Sequence, residues 1–494
     1  MTKIARNILI FQLLLLSAIS QGQVLTGPYG EVETNTYFST GEMLPFWIQS
    51  NQWGKYSPAS NGNVTSIGLF SQPHDNNRDS TLFSIGYGLE ASSRYTSGDD
   101  HLWLHQGYLR FSYKNLFRLS AGLWEETMGN QYDPLSSGGI IWSGNARPLP
   151  QVRIGTADYI KIPFTNGKLE GKALISHGWF EKDRSVNNAL LHHKFVGLRT
   201  SRDFPLSFNF GFYHFAQWGG ENDRYGQLPN DLEAFWRIFA VKEGGEEARE
   251  NDQINKAGNH LGSRYLGIDW NKSHSTTGIY YQDIFEDGSG QRKRNFPDGL
   301  WGIYFENNHH APLVKGVLYE WLYTADQSGP IHDNDGGLGG NDNYFNHGGY
   351  SSGWTTFMRT IGTPFITSPV LNKRIFKPDE PTNYDQKIFN NRVSAHHLGL
   401  TGFLSKKTEY KILGSFSRNK GLHDYNADRW RPEVYKIYAP RDQWSFRTDF
   451  KHFWDQFNLE TSLSIAADIG EMYGDNFGVM LGVRIPLYPM RGGE

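Results

Sequence analysis

The sequence predicts an all-β protein, specifically a transmembrane antiparallel β-barrel of about 18 strands. Three observations indicate this class. Apolar and polar residues alternate along many stretches that are longer than ordinary soluble strands. Aromatic residues make up 15% of the chain, although its mean hydropathy is only −0.56. Connections are either tight turns or long polar loops, which matches the short periplasmic turns and long extracellular loops of outer-membrane barrels.

The chain begins with the layout of a secretory signal peptide, which we assign to residues 1–22. Lys3 and Arg6 precede an apolar run from Ile8 to Ile19 that is too short to span hydrocarbon as a helix. We therefore expect cleavage after this run and a single outer-membrane β-barrel domain over residues 23–494.

Composition excludes several classes of site and partner. Cysteine is absent, so disulfides, thiolate metal sites and a cysteine nucleophile are excluded. The formal net charge of −3 gives no reason to expect nucleic acid as a partner. We expect a monomer surrounded by outer-membrane lipid, with no cofactor.

The strand pattern is clearest near the two ends of the chain. From Phe83 to Tyr95 the odd positions are mostly apolar, and from Phe477 to Leu487 the same alternation recurs. The polar faces of such stretches include Glu, Arg, Lys and Asp. The core of a secreted β-sandwich would reject these charges, whereas a wet barrel lumen accepts them.

One segment departs from the strand pattern. Residues Asn230 to Lys242 place four large apolar side chains at helical spacing behind an Asn/Asp cap. We expect a short helix here, either in a surface loop or folded into the lumen.

Signals for metal binding and catalysis are weak. Histidines are adjacent at 192–193, 309–310 and 396–397, and neighbours on a strand point to opposite faces, so these pairs should not chelate a metal. The stretch Asp333 to Asp342 has the look of a calcium loop but lacks the ligand spacing of an EF-hand. We found no motif that places a serine beside a histidine as in a hydrolase. We expect no metal site and no enzymatic step.

The long loops combine aromatic rings with carboxylates and amides. A ring can stack on the apolar face of a sugar while these polar groups accept its hydroxyl hydrogens. The alternative is that the aromatics form interfacial girdles and the Asn and Gly residues only make turns. The predicted sugar-contacting residues are Trp218, Tyr225, Tyr344, Trp354, Trp430, Asp333 and Asp342.

Four stretches together resemble the capsule assembly Wzi family of outer-membrane proteins. They are PFWIQSNQWGKYS from Pro45, GGIIWSGNARPLPQV from Gly138, DQINKAGNHLGSRYLGIDW from Asp252 and YFNHGGYSSGWTTFMRTIGTPF from Tyr344. The resemblance implies an 18-stranded barrel with an N-terminal plug-like element on the periplasmic side, which we place at about residues 40–62. It also implies a lectin-like role in attaching or organising capsular polysaccharide, and it carries no catalytic residues.

The stretch around Arg147 interrupts the alternation. Pro148 and Pro150 remove two hydrogen-bond donors, so the segment cannot be a central strand along its whole length. One interpretation is that Gly129 to Pro150 folds inward and narrows the lumen, with Arg147 pointing to polar partners. The other is an ordinary extracellular loop, in which Ser143 would be accessible.

These observations predict a protein of the cell outer membrane that binds surface polysaccharide during capsule assembly. The alternative function is a porin-like or substrate-specific channel.

Overall fold

The structure, a computed structural model, describes residues 28–71, 82–96, 100–114, 116–222, 226–242, 258–330, 340–379 and 386–487. For Ala427, Arg429 and Trp430 it describes the backbone alone. The predicted signal peptide, the calcium-like stretch up to residue 339, Tyr225 and Asp333 lie outside the described residues, as does the side chain of Trp430.

The main sheet is an antiparallel barrel whose strands follow one another in chain order. It contains 19 strand segments, and two of these are the halves of one interrupted strand, which gives 18 barrel strands as predicted. The strands are β1 Pro28–Ser39, β2 Gly62–Ser71, β3 Phe83–Thr96, β4 His101–Tyr113, β5 Phe117–Leu123, β6 Gln151–Thr156 with its continuation Ile160–Lys161, β7 Leu169–Trp179, β8 Leu190–Thr200, β9 Leu206–Trp218, β10 Asn259–Lys272, β11 Ser275–Gln282, β12 Gly299–Asn307, β13 Gly316–Tyr323, β14 Val393–Ser405, β15 Thr408–Asn419, β16 Arg441–Trp454, β17 Leu459–Gly470 and β18 Asn476–Pro486.

Pairing between β1 and β18 closes the barrel, with Glu31 opposite Pro486 and Ser39 opposite Gly478. Strand direction alternates, so the connections fall into two sets at opposite ends. One end carries tight turns such as residues 273–274 and 406–407, and the other carries the long connections, including residues 324–392. We call these the short-turn end and the long-loop end. In outer-membrane barrels the short turns face the periplasm and the long loops face the exterior.

The outer wall carries the apolar half of each alternating strand. On β8, for example, Val196 and Leu198 are exposed while Phe195 is buried. Exposed aromatic side chains gather near both rims, as in the interfacial girdles of barrels in a bilayer. They include Trp179, Trp444 and Phe477 near the long-loop end, and Phe117, Phe204, Trp270 and Trp454 near the short-turn end.

The helices are short: α1 Phe46–Gln49, α2 Leu232–Ala240, α3 Gly288–Gln291, α4 Asn372–Phe376 and α5 Asp424–Trp430. None in the described part of the chain is long and apolar enough to cross a membrane. Helix α2 confirms the helix predicted at Asn230 to Lys242. Asp231 caps it by accepting a hydrogen bond from the backbone of Ala234 at 2.7 Å.

Helix α2 lies on the outside of the barrel near the long-loop end. Its Ile238 packs against Ala216 and Trp218, which share the outward face of β9 with the exposed Phe208 and Phe210. Successive residues of a strand face opposite sides of the wall, and this separates the paired histidines: His192 faces outward toward helix α2, and His193 faces the lumen.

Three connections from the long-loop end fold into the lumen and pack on one another. We call residues 40–61, 124–150 and 340–379 together the plug. Their apolar side chains form one core with the lumen face of the wall; its plug members include Phe46, Trp47, Leu135, Ile140, Trp142, Leu149, Phe345, Trp354 and Phe365. The lumen is therefore filled by packed protein along much of its length.

The position of the N-terminal part of the plug corrects one expectation. Residues 40–61 enter the lumen from the long-loop end and not from the periplasmic side. The reason is that β1 precedes them and runs along the wall from the short-turn end to the long-loop end. Helix α1 is fully buried there, and the backbone N–H of Phe46 donates to Asp468 Oδ2 at 2.8 Å.

The segment Gly129 to Pro150 is folded inward, as one of the two interpretations predicted. Ser143 is buried, and its hydroxyl donates to the carbonyl of Gly362 at 2.7 Å. The segment reaches the short-turn end, since the ring of Tyr132 stacks on Tyr304 at 4.8 Å and its hydroxyl lies against Gly316, the first residue of β13. A second anchor is Glu320, which accepts hydrogen bonds from Ser137 and Tyr280.

Candidate functional site

Two of the predicted sugar-contacting aromatics belong to the plug core. Trp354 is fully buried, and its indole N–H donates to the carbonyl of Ile141 at 2.8 Å. Tyr344 is also fully buried, and its hydroxyl donates to Asp298 Oδ2 at 2.8 Å. Neither ring presents a face to solvent, so the predicted stacking on sugar is not available to them. Their role is to hold the plug together.

Trp218 is buried as well, but outside the lumen. It lies at the end of β9 on the outer wall, where helix α2 covers it and Phe235 packs at 6.0 Å between ring centroids. The prediction that its ring meets sugar fails for the same reason, because a loop helix occupies the face that a sugar would need.

Asp342 lies in a buried acidic cluster within the long loops. Its carboxylate accepts hydrogen bonds from Ser328 at 2.7 Å and Ser289 at 3.3 Å. Burial raises the pKa of Asp342 to about 7, with Asp287 adding to the shift, and burial likewise raises the pKa of Asp298 to about 7. This cluster ties residues 283–298 to residues 324–330 and 340–343, and the carboxylates of Asp298 and Asp342 are buried within it.

A group of exposed and partly exposed aromatic and basic side chains lies at the long-loop end. The guanidinium of Arg147 lies 4.2 Å from the ring centroid of Trp103 and 4.8 Å from that of Phe357. Arg94 stacks on Trp103 at 5.6 Å, and the His101 ring lies parallel to it at 5.6 Å. We call Arg94, His101, Trp103, Arg147 and Phe357 the mouth cluster.

The mouth cluster combines residues from the wall and from two parts of the plug. Trp103 is the third residue of β4 and Arg94 lies near the end of β3, both at the long-loop end. Arg147 and Phe357 come from residues 124–150 and 340–379. Sequence reasoning proposed Arg147 as a constriction of the lumen with polar partners; in the structure its guanidinium lies between the rings of Trp103 and Phe357 at the long-loop end.

Phe357 projects from a strained turn. It and Met358 form the tip of a two-residue hairpin between Thr355–Thr356 and Arg359–Thr360, with φ of 48° and 59°. Left-handed backbone is unfavourable for bulky residues, and such turns prefer Asn or Gly. The strain leaves Phe357 47% exposed. Backbone strain of this kind clusters at binding and switch sites.

An acidic residue at the end of β7 holds this turn in place. Glu181 accepts hydrogen bonds from the Thr356 hydroxyl at 2.7 Å and the Phe357 backbone N–H at 3.0 Å. Arg184 pairs with Glu181 at 3.2 Å and donates to the carbonyl of Thr355 at 2.8 Å. Glu181 and Arg184 thus hold the backbone of the turn, while the side chains of Phe357 and Met358 at its tip remain exposed.

Beneath the mouth lies a network of charged groups. His105 bonds the Trp103 indole N–H at 3.1 Å and Glu125 at 2.8 Å. Lys55 bridges Glu125 at 3.1 Å and Glu90 at 2.8 Å. Burial alone would lower the pKa of Lys55, but Glu125 and Glu90 outweigh it and raise that pKa above its ordinary value.

This network also contains a group of candidate metal ligands. Among the described residues, Glu90, His105 and Glu125 form the one group whose ligand atoms lie close enough together to hold an ion. The ammonium of Lys55 sits between the two carboxylates, so the cation that they require is already supplied by the chain.

Chemically, the mouth cluster suits a neutral or acidic sugar. Exposed aromatic faces bind the apolar side of a pyranose ring, and guanidinium groups donate to hydroxyls or pair with carboxylates. Sequence reasoning missed Trp103 because it sits inside an alternating strand, and missed Phe357 because it lies within a stretch used only for the resemblance.

Comparison with known proteins relates this barrel to a protein family. The family model for capsule assembly protein Wzi matches residues 48–366. Among curated proteins, none matches the sequence. A solved structure of Wzi from Escherichia coli, described as an outer-membrane protein involved in group 1 capsule assembly and a carbohydrate-binding β-barrel, superposes with a TM-score of 0.59 at 14% identity, covering 97% of this chain and 88% of that one. OpdL of Pseudomonas aeruginosa gives a TM-score of 0.45 at 10% identity, covering 94% of this chain and 100% of that one. Since the family model spans well over half of the sequence, the chain belongs to the capsule assembly protein Wzi family.

Proposed function

We propose that the protein binds capsular or related surface polysaccharide through the mouth cluster and takes part in capsule assembly at the outer membrane. The observation that carries this proposal is the stack of the exposed Phe357 and the partly exposed Arg147 and Trp103 at the long-loop end. Family membership and the carbohydrate binding described for the Escherichia coli relative support it.

The proposed role is binding, and we assign it no catalytic step. One serine–histidine contact has a suitable distance, since Ser415 Oγ lies 2.7 Å from His397 Nδ1. Both residues are buried, and His397 Nε2 is engaged by the carbonyl of Leu135. With no space for a substrate beside it, this contact serves to hold the plug against the wall.

The alternative function, an open channel, is less well supported. Residues 124–150 cross the lumen as far as Tyr132 at the short-turn end, and their apolar side chains pack on the wall. We propose that Arg147 completes the closure at the mouth by bridging Trp103 and Phe357.

The remaining proposals concern maturation and assembly. We propose that residues 1–22 are removed as a signal peptide and that residues 23–494 form one domain, which N-terminal sequencing of the outer-membrane protein would test. We also propose a monomer in contact with outer-membrane lipid, because β1 and β18 complete the barrel within a single chain.

The first experiment is a binding titration of the folded, detergent-solubilised protein with capsular polysaccharide from its own host. The variant Trp103→Ala with Phe357→Ala removes both stacking faces, and we expect at least about tenfold weaker binding. Trp236→Ala is the matched control, because Trp236 is an exposed tryptophan on helix α2 outside the barrel. Heat-modifiable gel migration establishes that each variant is folded.

Equal loss of affinity in the control would show that the binding does not depend on the mouth. Unchanged affinity in the double variant would contradict the assignment of this site. Absence of binding by the folded wild type would move the weight to the channel, and single-channel conductance in a planar bilayer would then decide.

A further inference from the structure

A second polar region lies in the lumen beyond the network that underlies the mouth cluster. It is a cavity of about 170 Å³ between the inner faces of β4 to β7 and the start of the segment 124–150. We call it the basic pocket; its lining includes the cations Arg110, Arg118, Arg153 and Lys172, the ring of Trp124, and the carboxylates of Glu125 and Glu126. Glu125 is already paired with Lys55 of the plug at 3.1 Å.

The strand positions put this pocket in the half of the lumen nearer the short-turn end. Arg118 is the second residue of β5 and Lys172 the fourth of β7, and both strands start at that end. Arg110 lies three residues before the last residue of β4, which finishes there. The pocket therefore lies between the plug and the part of the wall nearer the short-turn end.

The charges of the basic pocket do not balance internally. Glu126 pairs with Arg153 at 2.5 Å, and although burial would raise the pKa of Glu126, Arg153 lowers it below its ordinary value. Arg110, Arg118 and Lys172 form no ion pair with any residue that the structure describes. Three cations thus line the pocket without a carboxylate within ion-pair distance.

Other arginines on the lumen face are compensated. Arg199 pairs with Glu170 at 2.6 Å, and Arg447 pairs with Asp449 at 2.7 Å. Gathering cations without partners inside a confined space costs free energy through mutual repulsion and lost hydration. A bound anion would remove that cost.

The pocket also has features of a shaped binding surface. The guanidinium carbons of Arg110 and Arg153 lie 5.6 Å and 5.0 Å from the ring centroid of Trp124, and these contacts hold both groups in position. The Nε of Arg153 is buried and has no hydrogen-bond partner among the described residues. A donor of this kind is expected to find an acceptor.

We propose that the basic pocket binds one anionic group, a phosphate or a sugar carboxylate, presented from the periplasmic side. Guanidinium groups recognise both anions through charge-assisted hydrogen bonds. The cavity volume of about 170 Å³ suits a single anionic group and the atoms around it. This site is independent of the polysaccharide binding proposed at the mouth.

The test is calorimetric titration of the folded, detergent-solubilised protein with three separate probes: inorganic phosphate, glucuronate and glucose. We expect binding of phosphate, glucuronate or both that weakens as salt rises, and none of glucose. Arg110→Gln with Lys172→Gln should weaken anion binding at least about tenfold. Lys407→Gln is the matched control, since Lys407 is an exposed lysine at the same end.

The two anions separate the possible sources. Binding of phosphate alone identifies a phosphoryl group, and binding of glucuronate alone identifies an acidic sugar. Binding of neither anion, equal binding of glucose, or full retention of anion binding in the double variant would overturn the proposal. The double variant should keep its affinity for capsular polysaccharide, so failure of this site and failure of the mouth site are distinguishable.

Discussion

Two sectors of the lumen differ sharply in chemistry. Strands β3 to β7 present charged side chains to the interior, including Glu90, Arg94, Arg110, Arg118, Arg153 and Lys172. Strands β11 to β14 present fewer charges: Leu300, Leu318, Leu322 and Ala395 belong to the plug core, and the buried carboxylate of Glu320 is hydrogen-bonded to the plug. The plug core packs on the apolar sector, whereas toward the charged sector it leaves the mouth cluster and the basic pocket. One barrel thus combines a side packed by the plug, the packed side, with a more highly charged side, the wet side, at which we propose binding.

The charged sector is itself divided in two. Between the mouth cluster and the basic pocket lies the network of Lys55, Glu90 and Glu125. This network joins the plug to the wall by ion pairs, as the Glu320 anchor joins them by hydrogen bonds on the other side. Each sector therefore has its own means of holding the plug.

The largest expected effect comes from breaking the packed side. Trp354→Ala removes a fully buried indole from the plug core and its hydrogen bond to Ile141, which should cost about 3–5 kcal/mol. We expect faster proteolysis of the long-loop end and measurable single-channel current. Trp236→Ala, at an exposed site outside the barrel, should change neither. If Trp354→Ala leaves both protease resistance and conductance unchanged, the plug is not held by this core.

The wet side should be nearly as sensitive at its central ion pairs. Lys55→Ala leaves the buried carboxylate of Glu90 without its cation, and we expect a loss of about 2–3 kcal/mol, below the range for a fully buried pair because the Lys55 side chain is 18% exposed. The measurement is the midpoint of denaturant unfolding in detergent. Lys55→Ala combined with Glu90→Gln should recover part of the loss; further destabilisation by Glu90→Gln would contradict the pairing.

A pH-dependent contrast lies in the loops above the packed side. Burial raises the pKa of Asp342 to about 7 in the folded protein, so the folded state holds its proton more tightly than the unfolded chain does. The stability from this group is complete below pH of about 4 and is lost as pH rises through about 7. Asp342→Asn should therefore gain about 2 kcal/mol over wild type at pH 8 and nothing at pH 4.

The control for this prediction is Asp183→Asn, a change at an exposed aspartate in another long-loop connection. Its unfolding midpoint should follow wild type across the same pH range. If the unfolding midpoint of Asp342→Asn varied with pH in the same way as that of wild type, the buried carboxylate of Asp342 would not set the pH dependence.

The sequence was sufficient for the wall because alternation is a local property. It predicted the strand number, helix α2 and the opposite faces of His192 and His193, all of which the structure confirms. It also placed the plug-like segment near residues 40–62 but at the wrong end. The periplasmic placement came from the resemblance to the family, whereas in this chain β1 precedes the segment, and one additional strand moves a connection to the other end of a barrel.

The site residues were less predictable because loop composition does not reveal burial. Tyr344 and Trp354 stand among Asp, Asn and Gly residues as sugar platforms do, yet irregular segments packed in a lumen have the same composition. What distinguishes them is tertiary contact, such as the bond from Trp354 to Ile141 across more than 200 positions. For Tyr225, Asp333 and the ring of Trp430, sugar contact stays a prediction.

The smallest expected effect, and the finest test of the division between packed and binding sides, concerns the strained turn. Phe357→Asn with Met358→Gly supplies the residues that left-handed hairpin positions favour, and should stabilise the fold by about 1 kcal/mol. If Phe357 is retained for binding, the same variant should bind polysaccharide less tightly while unfolding at a higher denaturant concentration. Phe357→Tyr, which keeps the ring and the strain, should change neither quantity much. Stabilisation without any loss of affinity would mean that the strain serves the packing of the plug and not the binding of sugar at the mouth.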